Sequence, residues 1–100
     1  MKKIGISDFE LKIISEILKN YKNSTVIFGS RVKGSFKKFS DLDICLKTKI
    51  FDADFEFLQE KFDNSDLPFK VDIVVYDQLS DAFKKIIDIQ GLPLAEILKN

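Results

Sequence analysis

Histidine is absent from this chain, and cysteine occurs once, as Cys45. Without histidine the usual zinc sites are not available, and a single thiol excludes an internal disulfide. Net charge is missing too, because sixteen Lys and Arg balance sixteen Asp and Glu. That balance argues against broad affinity for polyanions, so no direct contact with nucleic acid is expected. No apolar run approaches the roughly 20 residues that cross a bilayer, and no signal peptide precedes the first helical pattern. Together these absences lead us to expect a cytoplasmic protein with no membrane partner. Repeats, linkers and low-complexity segments are also lacking. What remains is 100 residues, 45% hydrophobic and ten of them Phe. We expect one domain over residues 1–100 with a real core, and no room for a separate substrate domain.

The informative stretch runs from Gly29 to Ile44 and reads GSRVKGSFKKFSDLDI. It follows the apolar run Val26-Ile27-Phe28 and closes on Asp41 and Asp43. A strand alternates faces with period two, so these two carboxylates point one way while Leu42, Ile44 and Leu46 point the other. Paired carboxylates repel, and one of them tends to hold a proton unless a cation lies between them. Oxygen ligands of this kind suit Mg²⁺, which takes one or two carboxylates and completes its shell with substrate phosphates. Upstream, Gly29-Ser30 at a strand end leads into a short helical turn whose backbone N–H groups form a candidate phosphate cradle. Gly29 would let the backbone approach the phosphate, and Ser30 would donate its hydroxyl and N–H. Arg31 and Lys33 follow at once as candidates to neutralise phosphate charge or to contact the acceptor. Ser40 either bonds a phosphate or orients the loop.

The rest of the chain reads as αβ(α)βαβα. Ser7 and Glu10 form a capping box with Ile6 and Leu11 as a staple. Phe9, Ile13, Ile17 and Tyr21 then predict a helix from Ser7 to about Lys22. Strands are expected over Thr25 to Phe28, Leu42 to Lys47 and Lys70 to Tyr76. Between the last two, a helix carries Phe51, Phe55, Leu58 and Phe62, with Asp52 as a candidate cap. A final long helix opens at Asp77 to Ser80 and stops at Gly91 and Pro93, before a terminal turn at Leu94 to Leu98. In the third strand Val71, Ile73 and Val75 face the core and Asp72 faces away. Asp72 joins Asp41 and Asp43 only if the second and third strands are neighbours. Cys45, in the same alternation as the acid pair, reads as a small buried filler.

Gly29-Ser30, ten residues, then Asp41-Leu42-Asp43 resembles the signature of the DNA polymerase β-like nucleotidyltransferase superfamily. The fuller string GSRVKG…SDLDI is similar to its smallest branch, the minimal nucleotidyltransferases (MNT). Phe39 is bulkier than the small or polar residue that pattern leads one to expect. The resemblance implies an α/β (α+β) nucleotidyltransferase fold, a small mixed sheet with helices packed on one face. It implies Asp41, Asp43 and Asp72 as catalytic metal ligands for two Mg²⁺ ions, with Asp72 completing the second site or accepting the acceptor's proton. The implied reaction moves AMP from ATP to a hydroxyl. It further implies a HEPN-domain partner protein, the toxin of a toxin–antitoxin pair, modified on a tyrosine within a hetero-oligomer. Two other readings stand beside it. A non-catalytic antitoxin would neutralise its partner by covering it, and a small-molecule nucleotidyltransferase would resemble the aminoglycoside-modifying enzymes, which carry an extra helical domain.

Overall fold

The computed structural model describes residues 4–99. Its elements are α1 (Asp8–Ile17), β1 (Thr25–Phe28), α2 (Ser30–Lys33), β2 (Leu42–Leu46), α3 (Asp52–Asp63), β3 (Val71–Val75), α4 (Asp81–Gln90), β4 (Leu92–Pro93) and α5 (Leu94–Leu98). The four strands form one mixed sheet in the order β3-β2-β1-β4. β1 runs antiparallel to β2 and β4, and β2 runs parallel to β3. The second and third strands of the sequence reading are therefore neighbours. β4 was not expected. It adds Leu92 and Pro93 opposite Ile27 and Val26, and proline is tolerated there because an edge strand leaves one side of the ladder unpaired.

Alternation sorts the side chains into two layers. Ile27, Leu42, Ile44, Leu46, Val71 and Ile73 meet Ile14 of α1, Leu18 just after it, Leu58 and Phe62 of α3 and Leu94 of α5 in the larger core. On the other face Val26, Phe28 and Cys45 pack with Ile87 of α4, and Phe28 meets Phe83 edge to face at 5.7 Å. Helices thus cover the first face as expected, and α4 lies across part of the second. Among the described residues no helix is long and apolar enough to cross a membrane.

Local chemistry explains where the helices begin and end. The Ser7 hydroxyl accepts from the Glu10 N–H at 3.1 Å, and Glu10 Oε1 accepts from the Ser7 N–H at 2.9 Å, so the capping box forms as expected. α1 ends at Ile17, sooner than the periodicity predicts, because the chain must turn into buried β1. The turn is held by the Tyr21 N–H on the Leu18 carbonyl at 2.7 Å and the Thr25 hydroxyl on the Tyr21 carbonyl at 2.7 Å. Phe9 is 65% exposed, since five residues before Ile14 places it about 140° around the helix. Phe51 is 82% exposed because it precedes the first turn of α3. Asp52 caps nothing and lies inside that turn with Asp54, where negative charge suits the helix dipole. The last long helix starts at Asp81 rather than Asp77. A 3₁₀ turn at Tyr76–Gln78 intervenes, and the Ser80 hydroxyl caps α4 by accepting from the Phe83 N–H at 3.2 Å.

Candidate active site

Strand direction gathers the site. β2 and β3 run parallel and each carries an aspartate as its second residue, while antiparallel β1 ends beside them at Phe28. In the sheet register Phe28 pairs with Asp43, and Asp43 pairs with Asp72. Residues in register on adjacent strands project to the same face, so Asp43 and Asp72 stand side by side. Asp41, one residue before β2, is exposed and shares their alternation. The Gly29-Ser30 turn follows β1 at the same end of the sheet.

Gly29 has φ +85° and ψ −158°, a backbone region essentially confined to glycine. A β-carbon there would lie 2.2 Å from Asp43 Oδ2. The turn is therefore packed directly against the central carboxylate, which explains why this position needs glycine twice over. Ser30 opens α2, whose first turn closes on the Gly29 carbonyl through the N–H groups of Val32 and Lys33 at 3.2 and 3.1 Å. Gly34, at φ +86° and ψ 3°, ends the helix in the left-handed cap.

The electrostatics match the crowding. Asp43 is half-buried, and its carboxyl is pushed up from the ordinary aspartate range. Burial is the largest cause, followed by the charges of Asp72 and Asp41. Among the described residues no three acidic, imidazole or thiol side chains stand together as a preformed metal cage. Asp72 is instead paired with Lys70, Nζ to Oδ1 at 3.7 Å and largely exposed. Asp43 and Asp72, in register, are the side chains available to a cation at this end of the sheet. Two carboxylates are the usual protein contribution to Mg²⁺, and phosphate oxygens and water supply the rest.

One expected phosphate contact, Arg31, is placed differently, and Ser40 follows the second of its two readings. Arg31 is only 3% exposed. Its guanidinium donates to the carbonyls of Gly5, Lys38 and Ser40, the Ser40 bonds from Nε and Nη2 measuring 3.1 and 2.8 Å. It also stacks over the Phe69 ring at 4.0 Å and near Phe36 at 5.5 Å. Its donors are committed to the protein itself, so Arg31 is not a phosphate ligand. Ser40 likewise orients the loop, as its hydroxyl accepts from the Lys37 N–H at 2.7 Å. Lys33 remains exposed at the end of α2. Gly5, Phe69 and Lys70 were not picked out from the sequence, because their roles depend on partners distant in the chain or, for Lys70, on a strand side chain reaching along its own strand.

Away from this end, Cys45 is buried and its thiol is pushed up to about 11, chiefly by burial, with Lys47 opposing and Asp88 adding to the rise. It stays a neutral core residue at ordinary pH. Tyr76 donates its hydroxyl to Asp88 Oδ2 at 2.8 Å, and Lys47 pairs with Asp88 Oδ1 at 3.1 Å. This cluster ties β2, the end of β3 and α4 together.

The family described as Nucleotidyltransferase domain matches residues 11–95. A protein of Haemophilus influenzae described as a probable protein adenylyltransferase, MntA, is 37% identical over 91 residues, covering 84% of this chain and 77% of the relative. A toxin–antitoxin crystal structure with AMP-PNP superposes with a TM-score of 0.67 at 24% identity, over 84% of this chain and 71% of the other. A mutant of the toxin–antitoxin pair MntA–HpeT superposes at 0.59 with 18% identity, over 84% and 70%. Those two likenesses speak for the fold.

Proposed function

The chain belongs to the nucleotidyltransferase domain family, and on that footing we propose that it transfers AMP from ATP to a tyrosine hydroxyl of a HEPN-domain partner. In this reading it acts in the cytoplasm as the antitoxin of a toxin–antitoxin pair, within a hetero-oligomer. The observation that carries the reading is the pairing of Asp43 with Asp72 in the sheet register beside the glycine turn that packs against Asp43, with Asp41 one residue before β2. Support for the protein acceptor comes from the relative described as a probable protein adenylyltransferase.

Asp41 and Asp43 would hold Mg²⁺ together with the triphosphate, and Asp72 would serve a second ion or the incoming hydroxyl. Bound Mg²⁺ neutralises phosphate charge and makes the acceptor hydroxyl easier to deprotonate. The remaining work falls to the chain. Gly29 and Ser30 would seat the phosphates through the turn, and Lys33 would add positive charge at its rim. The acceptor oxygen forms a bond to the α-phosphorus, the bond to pyrophosphate breaks, and Asp72 takes the hydroxyl proton.

Incubation with labelled ATP, Mg²⁺ and the partner, followed by mass spectrometry of both chains, tests the proposal. Addition of AMP to a partner tyrosine is expected, and Asp41→Asn and Asp43→Asn should each abolish it. A tight complex without any modification, protected equally well by the Asn variants, would replace this reading with neutralisation by binding.

A further inference from the structure

Arg31 looks like a phosphate ligand in the sequence and is something else in the fold. It directly follows Ser30, yet its side chain turns inward to a place where three separate segments meet. The fork reaches the carbonyls of Gly5, Lys38 and Ser40, and the plane rests on Phe69, two residues before β3. The Arg31 carbonyl accepts in turn from the Gly5 N–H at 3.2 Å. Ser40 is the residue before Asp41. A single buried cation therefore joins the helix after the glycine turn, the loop that delivers Asp41 and the segment that leads to Asp72. Bonds inside the loop are local, such as the Ser40 N–H on the Lys37 carbonyl at 3.1 Å, and residues 35–39 are exposed. Hydrogen bonds from a charged donor are the stronger kind, and a planar fork meets several acceptors at once.

We infer that Arg31 is a positioning residue for the transfer reaction, whose guanidinium fixes the 37–40 loop so that Asp41 is held beside Asp43. The inference rests on the transferase reading above. Lysine keeps the charge but offers one compact ammonium in place of the fork, so it cannot span the same carbonyls. A misplaced ligand on the order of 1 Å costs roughly 10²-fold in rate.

The test compares wild type, Arg31→Lys, Phe69→Leu and Asp41→Asn as full chains. Arg31→Lys should lower turnover by roughly 10²-fold and raise the Mg²⁺ concentration needed for half-maximal rate, while the ATP dependence at saturating Mg²⁺ stays close to wild type. Amide hydrogen exchange should quicken over residues 36–41 and remain slow in β2 and β3. Phe69→Leu, which removes the supporting ring and keeps apolar bulk, should move both readouts the same way by less. Asp41→Asn should lose the Mg²⁺ response with loop exchange unchanged. Wild-type loop exchange and Mg²⁺ dependence in Arg31→Lys would overturn the inference, as would weakened ATP binding with an unaltered loop. A wild-type chain that transfers no nucleotide would sink the transferase reading instead, and the exchange comparison would then decide alone whether Arg31 holds the loop.

Discussion

Replacing Gly29 by alanine attacks the site through two separable terms. The backbone term comes from φ +85° and ψ −158°, which costs a residue with a β-carbon on the order of 1–3 kcal/mol. For a domain of this size each kcal/mol lowers the melting temperature by roughly 4–8 °C, so the strain alone should lower it by about 4–24 °C. The steric term falls on one side chain. The new β-carbon would sit 2.2 Å from Asp43 Oδ2 and 3.2 Å from its Cγ, well short of ordinary van der Waals contact. The carboxylate must retreat, and displacing a metal ligand by about 1 Å is enough to cost roughly 10²-fold in rate. Thermal unfolding and AMP transfer by Gly29→Ala measure both. A double-mutant cycle with Asp43→Ala then separates them, because truncating Asp43 removes the clash and leaves the strain. The double variant should be more stable than the sum of its singles predicts. Strict additivity, or a Gly29→Ala chain that melts and turns over like wild type, would refute the packing argument.

Gly34→Ala offers a contrast, since it shares the positive φ but meets nothing within 4 Å. It should cost only the backbone term of about 1–2 kcal/mol and leave turnover near wild type. Asp43→Asn should raise the melting temperature of the metal-free protein at neutral pH. The folded pKa of Asp43 lies above its unfolded value, so the native state binds the extra proton. Its contribution is therefore full below the unfolded pKa and is lost as pH rises through the folded one. The variant should flatten the stability profile across that window, and Mg²⁺ should stabilise wild type more than the variant. Cys45, buried and with its thiol at about 11, should resist alkylating reagents in the native protein and react once denatured, as thiol counting by mass will show. Phe51→Ser should raise stability by roughly 0.5–2 kcal/mol in denaturant unfolding, because residue 51 is the N-cap of α3 and has no side-chain cap.

Much of this was legible because the governing interactions are local. The capping box at Ser7 and Glu10 involves neighbours in sequence, and two-residue alternation is enough to put Asp41 and Asp43 opposite Leu42, Ile44 and Leu46. The same alternation placed Asp72 away from Val71 and Ile73. Periodicity misled at Phe9 and Phe51, where an apolar residue continues a pattern beyond the turns that are buried. It also merged the 3₁₀ turn at Tyr76–Gln78 with α4, since polar residues there suit either structure.

The sequence by itself determined the acids, the glycine turn and the face each strand presents, because a chain's own stereochemistry sets the direction of neighbouring side chains. Only the tertiary structure decided that β2 lies beside β3, bringing Asp43 against Asp72, and that Arg31 turns inward to Gly5, Ser40 and Phe69. An arginine after Gly-Ser meets phosphate or backbone with the same five donors. The choice is made by where carbonyls and rings from distant segments come to rest, which only packing fixes.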